Sequence, residues 1–256
     1  MKKPLILVTN DDGITAPGIN FLVEIVREIG DVIVVAPDSP QSGMGHAITV
    51  NSTLYVNKIT NENEVVQKFS CSGTPADCVK IAKNEIVKDS IDLCVSGVNH
   101  GGNSSINVLY SGTMSAAIEA GIEGIPSIGF SLADFSWNAN FEPIRNHVKK
   151  IILAVLNKKM PEGVVFNVNF PKVDHENEIK GLKICRQAKA KYAEKFDKRI
   201  SPFGKDYYWL AGEFLNLDEG EDTDNWALKN GYASIVPVQF DLTAHHVIKE
   251  LNNWEL

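Results

Sequence analysis

At 256 residues the chain can form one large α/β domain, or a core with a smaller appendage, and its core needs no covalent staple. Its 25 basic and 32 acidic residues leave a net charge of −7, which excludes a protein that coats DNA through its phosphates; no DNA partner is expected. No apolar run approaches the roughly 20 residues of a membrane helix, and the run from Leu5 to Val8 is too short for a signal peptide, so a soluble protein without membrane contact is expected.

In chain order, Leu5 to Val8 predicts a buried strand, the spacing of Ile19, Leu22, Val23, Val26 and Ile29 a helix, and Val32 to Ala36 a second strand. Short crossovers of this kind give a mostly parallel sheet with helices on both faces. Thr74 caps a helix with Pro75 at its first position and Asp77 at its third, ahead of Val79, Ala82 and Ile86. Ile91 to Val95 is the next strand. After a glycine-rich stretch from Gly97 to Gly112, Met114 to Ala120 reads as helix and Pro126 to Leu132 as strand. Ile144, Val148, Ile151, Ile152 and Val155 form an amphipathic helix, and Val164 to Phe170 is a strand. Beyond Pro171 the chain turns charged and aromatic, which predicts hairpins or an arm, then a strand from Ala233 to Val238 and a helix from Thr243 to Trp254. The expected organisation is a single domain, with a core over 1–171 and an extension over 172–256. Four cysteines, Cys71, Cys78, Cys94 and Cys185, show no CxxC spacing and read as buried reduced thiols, in keeping with a cytoplasmic protein.

Ligands of open parallel sheets bind beyond the carboxyl ends of the strands. That rule selects the loops at Thr9 to Gly13, Pro37 to His46, Ser96 to Asn103 and Tyr110 to Thr113. Asp11 and Asp12 are adjacent carboxylates at one strand end, and their repulsion is relieved by a cation or a shared proton. Alone, Asp-Asp-Gly is usually a cap and a turn; the neighbouring loops favour a site. Oxygen donors suit Mg²⁺ or Mn²⁺ better than Zn²⁺. Ser42 and Asn99 occupy two other strand ends, with His46 and His100 beside them as supporting groups rather than ligands. Ser111, Gly112 and Thr113 open a helix whose amides and hydroxyls can cradle phosphate, or simply cap the helix. There is no Walker A motif, no GxGxxG after the first strand and no Gly-x-Ser-x-Gly elbow.

Taken together, Leu5 to Gly18, Ala36 to Gly43, Gly73 to Cys78, Ser96 to Asn103, Tyr110 to Thr113, Gly231 to Val238 and Asp241 to Thr243 resemble the survival protein E (SurE) family of nucleotidases. The resemblance implies a Rossmann-like core and a C-terminal extension used in dimer contacts. It implies metal-dependent phosphatase activity on nucleoside 5′- and 3′-monophosphates, and sometimes on polyphosphate. One divalent ion per subunit, Mg²⁺ or Mn²⁺, would sit on Asp11, Asp12, Ser42 and Asn99, with Asp11 and Asp12 at the centre of catalysis. Phosphate would be held at Ser111, Gly112 and Thr113, and Asn10 and Asn103 would add neutral donors. At Ser104-Ser105-Ile106-Asn107 the chain departs from the family's usual Leu-Gly-x-Asp. The expected assembly is a homodimer or homotetramer. Two rival functions use the same features: a nucleotide-binding regulatory module without turnover, and a metal-dependent glycosyltransferase, which would require a sugar-nucleotide donor.

Overall fold

The computed structural model describes residues 2–60, 65–158 and 160–254. In chain order the principal elements are β1 (Leu5–Thr9), α1 (Pro17–Val26), β2 (Asp31–Pro37), β3 (Val56–Lys58), β4 (Gln67–Cys71), α2 (Pro75–Ile81), β5 (Leu93–His100), α3 (Gly112–Ile122), β6 (Ser127–Leu132), α4 (Arg145–Asn157), β7 (Val164–Phe170), β8 (Leu182–Ile184), β9 (Ala190–Ile200), β10 (Asp206–Asn216), α5 (Asp224–Lys229), β11 (Ala233–Gln239) and α6 (His245–Leu251). Among the described residues the main sheet has the order β3-β4-β2-β1-β5-β6-β7-β11-β8, and β9 and β10 pair in a separate antiparallel hairpin. From β4 to β7 the sheet is parallel; β3 and β11 run antiparallel to their neighbours β4 and β7. This is the expected α/β architecture with its hairpin extension.

Strand alternation divides the core into two layers. Ile6, Val8, Val34, Leu93 and Val95 face α1 and α4, where Ile19, Leu22, Val26, Val148 and Ile152 complete one cluster. Leu7, Ile33, Val35 and Cys94 face the opposite way, onto Cys78, Val79 and Ala82 and onto Ala116 and Ala120 of α3. Both faces of β1, β2 and β5 are therefore covered, which is why these strands read as continuous apolar runs. The four cysteines are free and buried. Among the described residues no helix is long and apolar enough to cross a membrane.

The connections place the site. From β1 the chain passes through α1 to β2 on one side, and it later inserts β5 on the other side of β1. A crevice opens where strand order reverses in this way, at the carboxyl ends of β1 and β5. Here Thr9 of β1 lies opposite Ser96 of β5. Helix α1 presses on β5 so closely that a Cβ at Gly18 would stand 2.0 Å from the Val98 carbonyl oxygen, so that position must be glycine.

Several elements differ from the sequence reading for local reasons. Helix α1 stops at Val26, and Ile29 packs from a turn, because Gly30 must pass against Pro4, where a Cβ would be 2.2 Å from the carbonyl oxygen. The helical pattern ending at Ile86 is α2 followed by a wider π-turn over Ala82–Ile86. Strands β3 and β4 are not foreseen from the sequence; β3 is exposed and β4 partly so, and pairing, of β4 with β2 and of β3 with β4, rather than composition makes them strands. Strand β5 continues past Val95 to His100 through an irregularity between Ser96 and Asn99, so Asn99 sits on a bulged strand end rather than on a free loop. Ser105, in the segment that departs from the family pattern, adopts φ +56° where glycine is at ease. It is held by its N–H donating to Asp224 Oδ2 (2.7 Å) and its hydroxyl donating to the Ala188 carbonyl (2.8 Å), which ties the core rim to the extension.

Candidate active site

The turn leaving β1 is closed by the Asn10 side chain, whose Nδ2 donates to the Gly13 carbonyl at 2.9 Å, with Gly13 at φ +101°. Asp11 follows, 4 % exposed, and its carboxylate accepts a hydrogen bond from the Thr113 hydroxyl at the start of α3. Gly112 permits that approach, since a Cβ there would lie 2.6 Å from the Asp11 Cβ. Asp12 is less buried, and its Oδ2 accepts the His100 backbone N–H from the end of β5 at 3.2 Å. Burial pushes the Asp11 carboxyl up to about 6 against the lowering pull of Thr113, and the neighbouring charge of Asp12 adds to the rise. Burial also raises Asp12, partly offset by the His100 N–H. Two adjacent carboxylates are thus held where ionisation is opposed.

Neutral oxygens surround the pair. The Thr9 Oγ1, Asn10 Oδ1 and Ser96 Oγ atoms are buried without a hydrogen-bond partner among the described residues. Asn99 donates Nδ2 to the Gly101 carbonyl at 2.7 Å, and no bond to its Oδ1 is made among the described residues. The loop after β2 is drawn over Asp11 by Gln41 N–H donating to the Asp11 carbonyl at 2.8 Å, and it presents Ser42 exposed. Further along that loop His46 Nε2 meets Glu119 Oε2 of α3 at 2.8 Å, and Lys80 of α2 reaches Glu119 Oε1 at 2.6 Å. Burial opposes the Glu119 charge, but the bonds from His46 and Lys80 together hold its carboxyl below the usual range.

The phosphate-loop residues have divided tasks. Ser111 is the N-cap of α3, its Oγ accepting the Met114 N–H at 3.0 Å while its own hydrogen remains available. The Thr113 hydroxyl is committed to Asp11, so this residue belongs as much to the carboxylate pair as to the helix start. Asn103 is turned into a buried amide ladder: its N–H donates to Asn169 Oδ1 (2.6 Å), its Nδ2 to Ser131 Oγ (2.9 Å), and Asn167 Nδ2 donates to its carbonyl (2.9 Å). The backbone N–H and one of the two Nδ2 hydrogens of Asn103 are therefore taken up by β7 and β6. The sequence reading passed over this ladder, although two asparagines on one face of the otherwise apolar β7 were a legible signal. His100 stands beside the pair as expected; its Nδ1 meets the Ser136 carbonyl at 2.7 Å, and its Nε2 is buried without a partner among the described residues.

Among the described residues no group of three or more His, Cys, Asp or Glu side chains is placed to hold a metal ion. A cation here would rest on two carboxylates and neutral oxygens, a donor set for hard ions. A depression of about 1290 Å³ lies at the opposite, amino ends of the strands beside Pro4, Asp92 and Pro126, away from the carboxylate pair.

A doubly covered, mostly parallel sheet with a carboxylate pair at its switch point defines an α/β protein of the type whose ligands bind at strand ends. The family model described as "Survival protein SurE" matches residues 6–194, and the chain belongs to the SurE family. A Flavobacterium psychrophilum protein named 5′-nucleotidase SurE is 70 % identical over 100 % of this chain and 99 % of its own length. A Bacteroides fragilis protein of the same name is 44 % identical over 100 % and 99 %. The crystal structure of SurE protein from Aquifex aeolicus is 42 % identical, covers 97 % of this chain and 98 % of its own, and superposes with a TM-score of 0.84.

Proposed function

We propose that the chain is a phosphatase that hydrolyses nucleoside 5′-monophosphates, and also 3′-monophosphates and polyphosphate, with one Mg²⁺ or Mn²⁺ ion per subunit. The observation that carries this reading is the Asp11–Asp12 pair, opposed in its ionisation by burial, at the strand ends that also bear the unpartnered oxygens of Thr9, Asn10 and Ser96. The names of the relatives support the substrate class.

Asp11, Asp12, Ser42 and the side-chain Oδ1 of Asn99 would hold the ion. When bound, such a cation supplies Lewis acidity toward a phosphate oxygen and the attacking water. The chain's own residues then do the positioning. Thr113 fixes the Asp11 carboxylate, and the His100 N–H fixes that of Asp12. Ser111 and Gly112 receive phosphate oxygens at the amino end of α3, with Thr113 shared between phosphate and Asp11, so that charge developing in the transition state meets oriented donors. Asn10 shapes the turn that carries the pair, and Asn103, steadied by the ladder beneath it, keeps one Nδ2 hydrogen for a phosphate oxygen.

The same proposal places the protein in the cytoplasm, in keeping with four free cysteines, and makes it a homodimer or homotetramer joined through the extension over 172–256. In the β9–β10 hairpin, Phe196 pairs with Leu210 and Tyr192 with Phe214 on one exposed face, an apolar surface that a second copy would cover.

The test is phosphate release from nucleoside 5′- and 3′-monophosphates, sugar phosphates and polyphosphate, with and without chelator. Activity should vanish in EDTA and return with Mg²⁺ or Mn²⁺. Full turnover after exhaustive dialysis against EDTA would sink the metal requirement, and no release from any nucleotide would sink the activity.

A further inference from the structure

The segment leaving β6, Ala133 to Phe141, carries two large aromatic rings that the core does not use. Phe135 is 83 % exposed and Trp137 54 % exposed, two residues apart at the rim of the carboxylate site. Both rings lie against the residues that follow Asn99. Trp137 stacks on His100 with centroids 5.4 Å apart and planes at 11°, so one face of the indole is used and the other is open. Phe135 lies over Gly101, where a Cβ would be 2.4 Å from its ring and where φ is +104°. His100 in turn donates its N–H to Asp12 at 3.2 Å. His100 therefore touches both sides, its backbone N–H holding the Asp12 carboxylate and its ring carrying the indole, which sets the platform one residue's width outward from the proposed phosphate centre.

The segment is also held in shape. Asp134 Oδ1 accepts the Ser136 N–H at 3.0 Å, Ser136 Oγ accepts the Asn138 N–H at 3.2 Å, and the Ser136 carbonyl accepts the Ala139 N–H at 3.0 Å. The other Asp134 oxygen pairs with Lys172 at 3.2 Å, and the Ala133 N–H donates to the Phe170 carbonyl at 2.9 Å, which anchors the segment to β7. A surface loop with this many tethers presents its rings in a set orientation, which lowers the ordering cost of binding a flat ligand.

We infer that Trp137 and Phe135 are the stacking platform for the nucleobase of the substrate, a specificity element on the leaving-group side of the phosphate. The inference rests on the nucleotidase reading and extends it. A nucleoside monophosphate carries its base one sugar away from the phosphate, and the platform rings lie on His100 and Gly101, the two residues that follow the proposed ligand Asn99. Every base has a π face, so stacking of this kind tolerates all of them; the expected preference is for a base as such over no base, with little selection among bases.

The experiment compares catalytic efficiency on nucleoside 5′-monophosphates and on ribose 5-phosphate, which lacks a base, for the unmodified enzyme and for Trp137→Ala, Trp137→Phe and Phe135→Ala. Loss of one stacked base is expected to lower efficiency on nucleotides about 5- to 150-fold more than on ribose 5-phosphate. The loss should appear mainly in KM, and Trp137→Phe should recover much of it. Equal losses on both substrates would overturn the platform, because Trp137 would then only support His100 and Asp12. Equal efficiency of the unmodified enzyme on both substrates would also overturn it while leaving the phosphatase intact. Failure of the unmodified enzyme to hydrolyse any nucleotide would remove the nucleotidase reading and the platform with it. Light scattering on each variant checks the competing use of these rings, and a change in assembly that accompanies the nucleotide defect would assign them to a subunit contact instead.

Discussion

At the carboxyl edge of the main sheet, polar groups are buried: Asp11 is 4 % exposed, and Thr9, Asn10 and Ser96 keep oxygens out of water with nothing to bond among the described residues. In the β9–β10 hairpin the imbalance is reversed, with Phe196, Trp209 and Leu210 each at least 60 % exposed and every residue of β10 open to solvent. A buried unpaired oxygen and an exposed aromatic ring are both unfavourable in water, for opposite reasons. The first is relieved by a small charged ligand and the second by another surface. The difference teaches that two departures from ordinary burial, at two ends of one chain, call for different kinds of occupant. Substitutions in the two regions should therefore fail in different assays.

The largest effect is expected at the carboxylate pair. Asp12→Asn should lower turnover by at least about 100-fold, since loss of even a supporting group around a metal typically costs 10–100-fold. Its circular dichroism and assembly should match the parent. Turnover near that of the parent at limiting metal would remove Asp12 from the site.

Thr113→Val comes next, because it removes the hydroxyl that orients Asp11 while nearly preserving volume. A shift of about 10- to 100-fold in the metal concentration needed for half activity is expected. If the metal titration is unchanged and only the KM for substrate rises, Thr113 serves phosphate alone and its bond to Asp11 is incidental.

Glu119→Gln tests the clamp that holds the Ser42 loop to α3. Exchanging the carboxylate weakens two charge-assisted bonds, to His46 and to Lys80, and should cost about 1–3 kcal/mol of stability. For a chain of this size each kcal/mol lowers Tm by about 2–4 °C. Because the folded carboxyl is held below its ordinary 4.5, its contribution is complete above that pH and is lost as the pH falls through the lower folded value. The parent should therefore lose stability more steeply than Glu119→Gln below about pH 4.5, and parallel acid melts would show that the clamp carries no charge.

The smallest change in subunit stability is expected in the hairpin. Phe196→Ser with Leu210→Ser alters exposed positions, where substitutions usually stay within about 0.5 kcal/mol. The assembly should nevertheless dissociate to smaller species by light scattering, with metal affinity per subunit retained. An unchanged mass would show that this apolar face is not the subunit contact.

How much of this was legible in the sequence depends on the range of the interaction concerned. The buried strands at Leu5, Val32 and Val164 and the amphipathic helix around Val148 followed from periodicity, a property of neighbouring residues. The capping box at Thr74 and Asp77 was legible for the same reason, since both partners lie within one helical turn. The short strands β3 and β4 were not, because they are strands only by pairing, β4 with β2 and β3 with β4.

The site divides in the same way. That Asp11 and Asp12 stand at a strand end, and that Ser111 opens a helix, can be read from a few adjacent residues. The tertiary structure alone decided that the Thr113 hydroxyl serves Asp11, 102 positions away, and that Asn103 is tied to Ser131 and Asn169. It also decided that Trp137 lies over His100. A side chain's residue type states how many hydrogen bonds it can make, but the partner is set by which distant strand or helix is brought within about 3 Å, and that follows from the packing of the whole sheet.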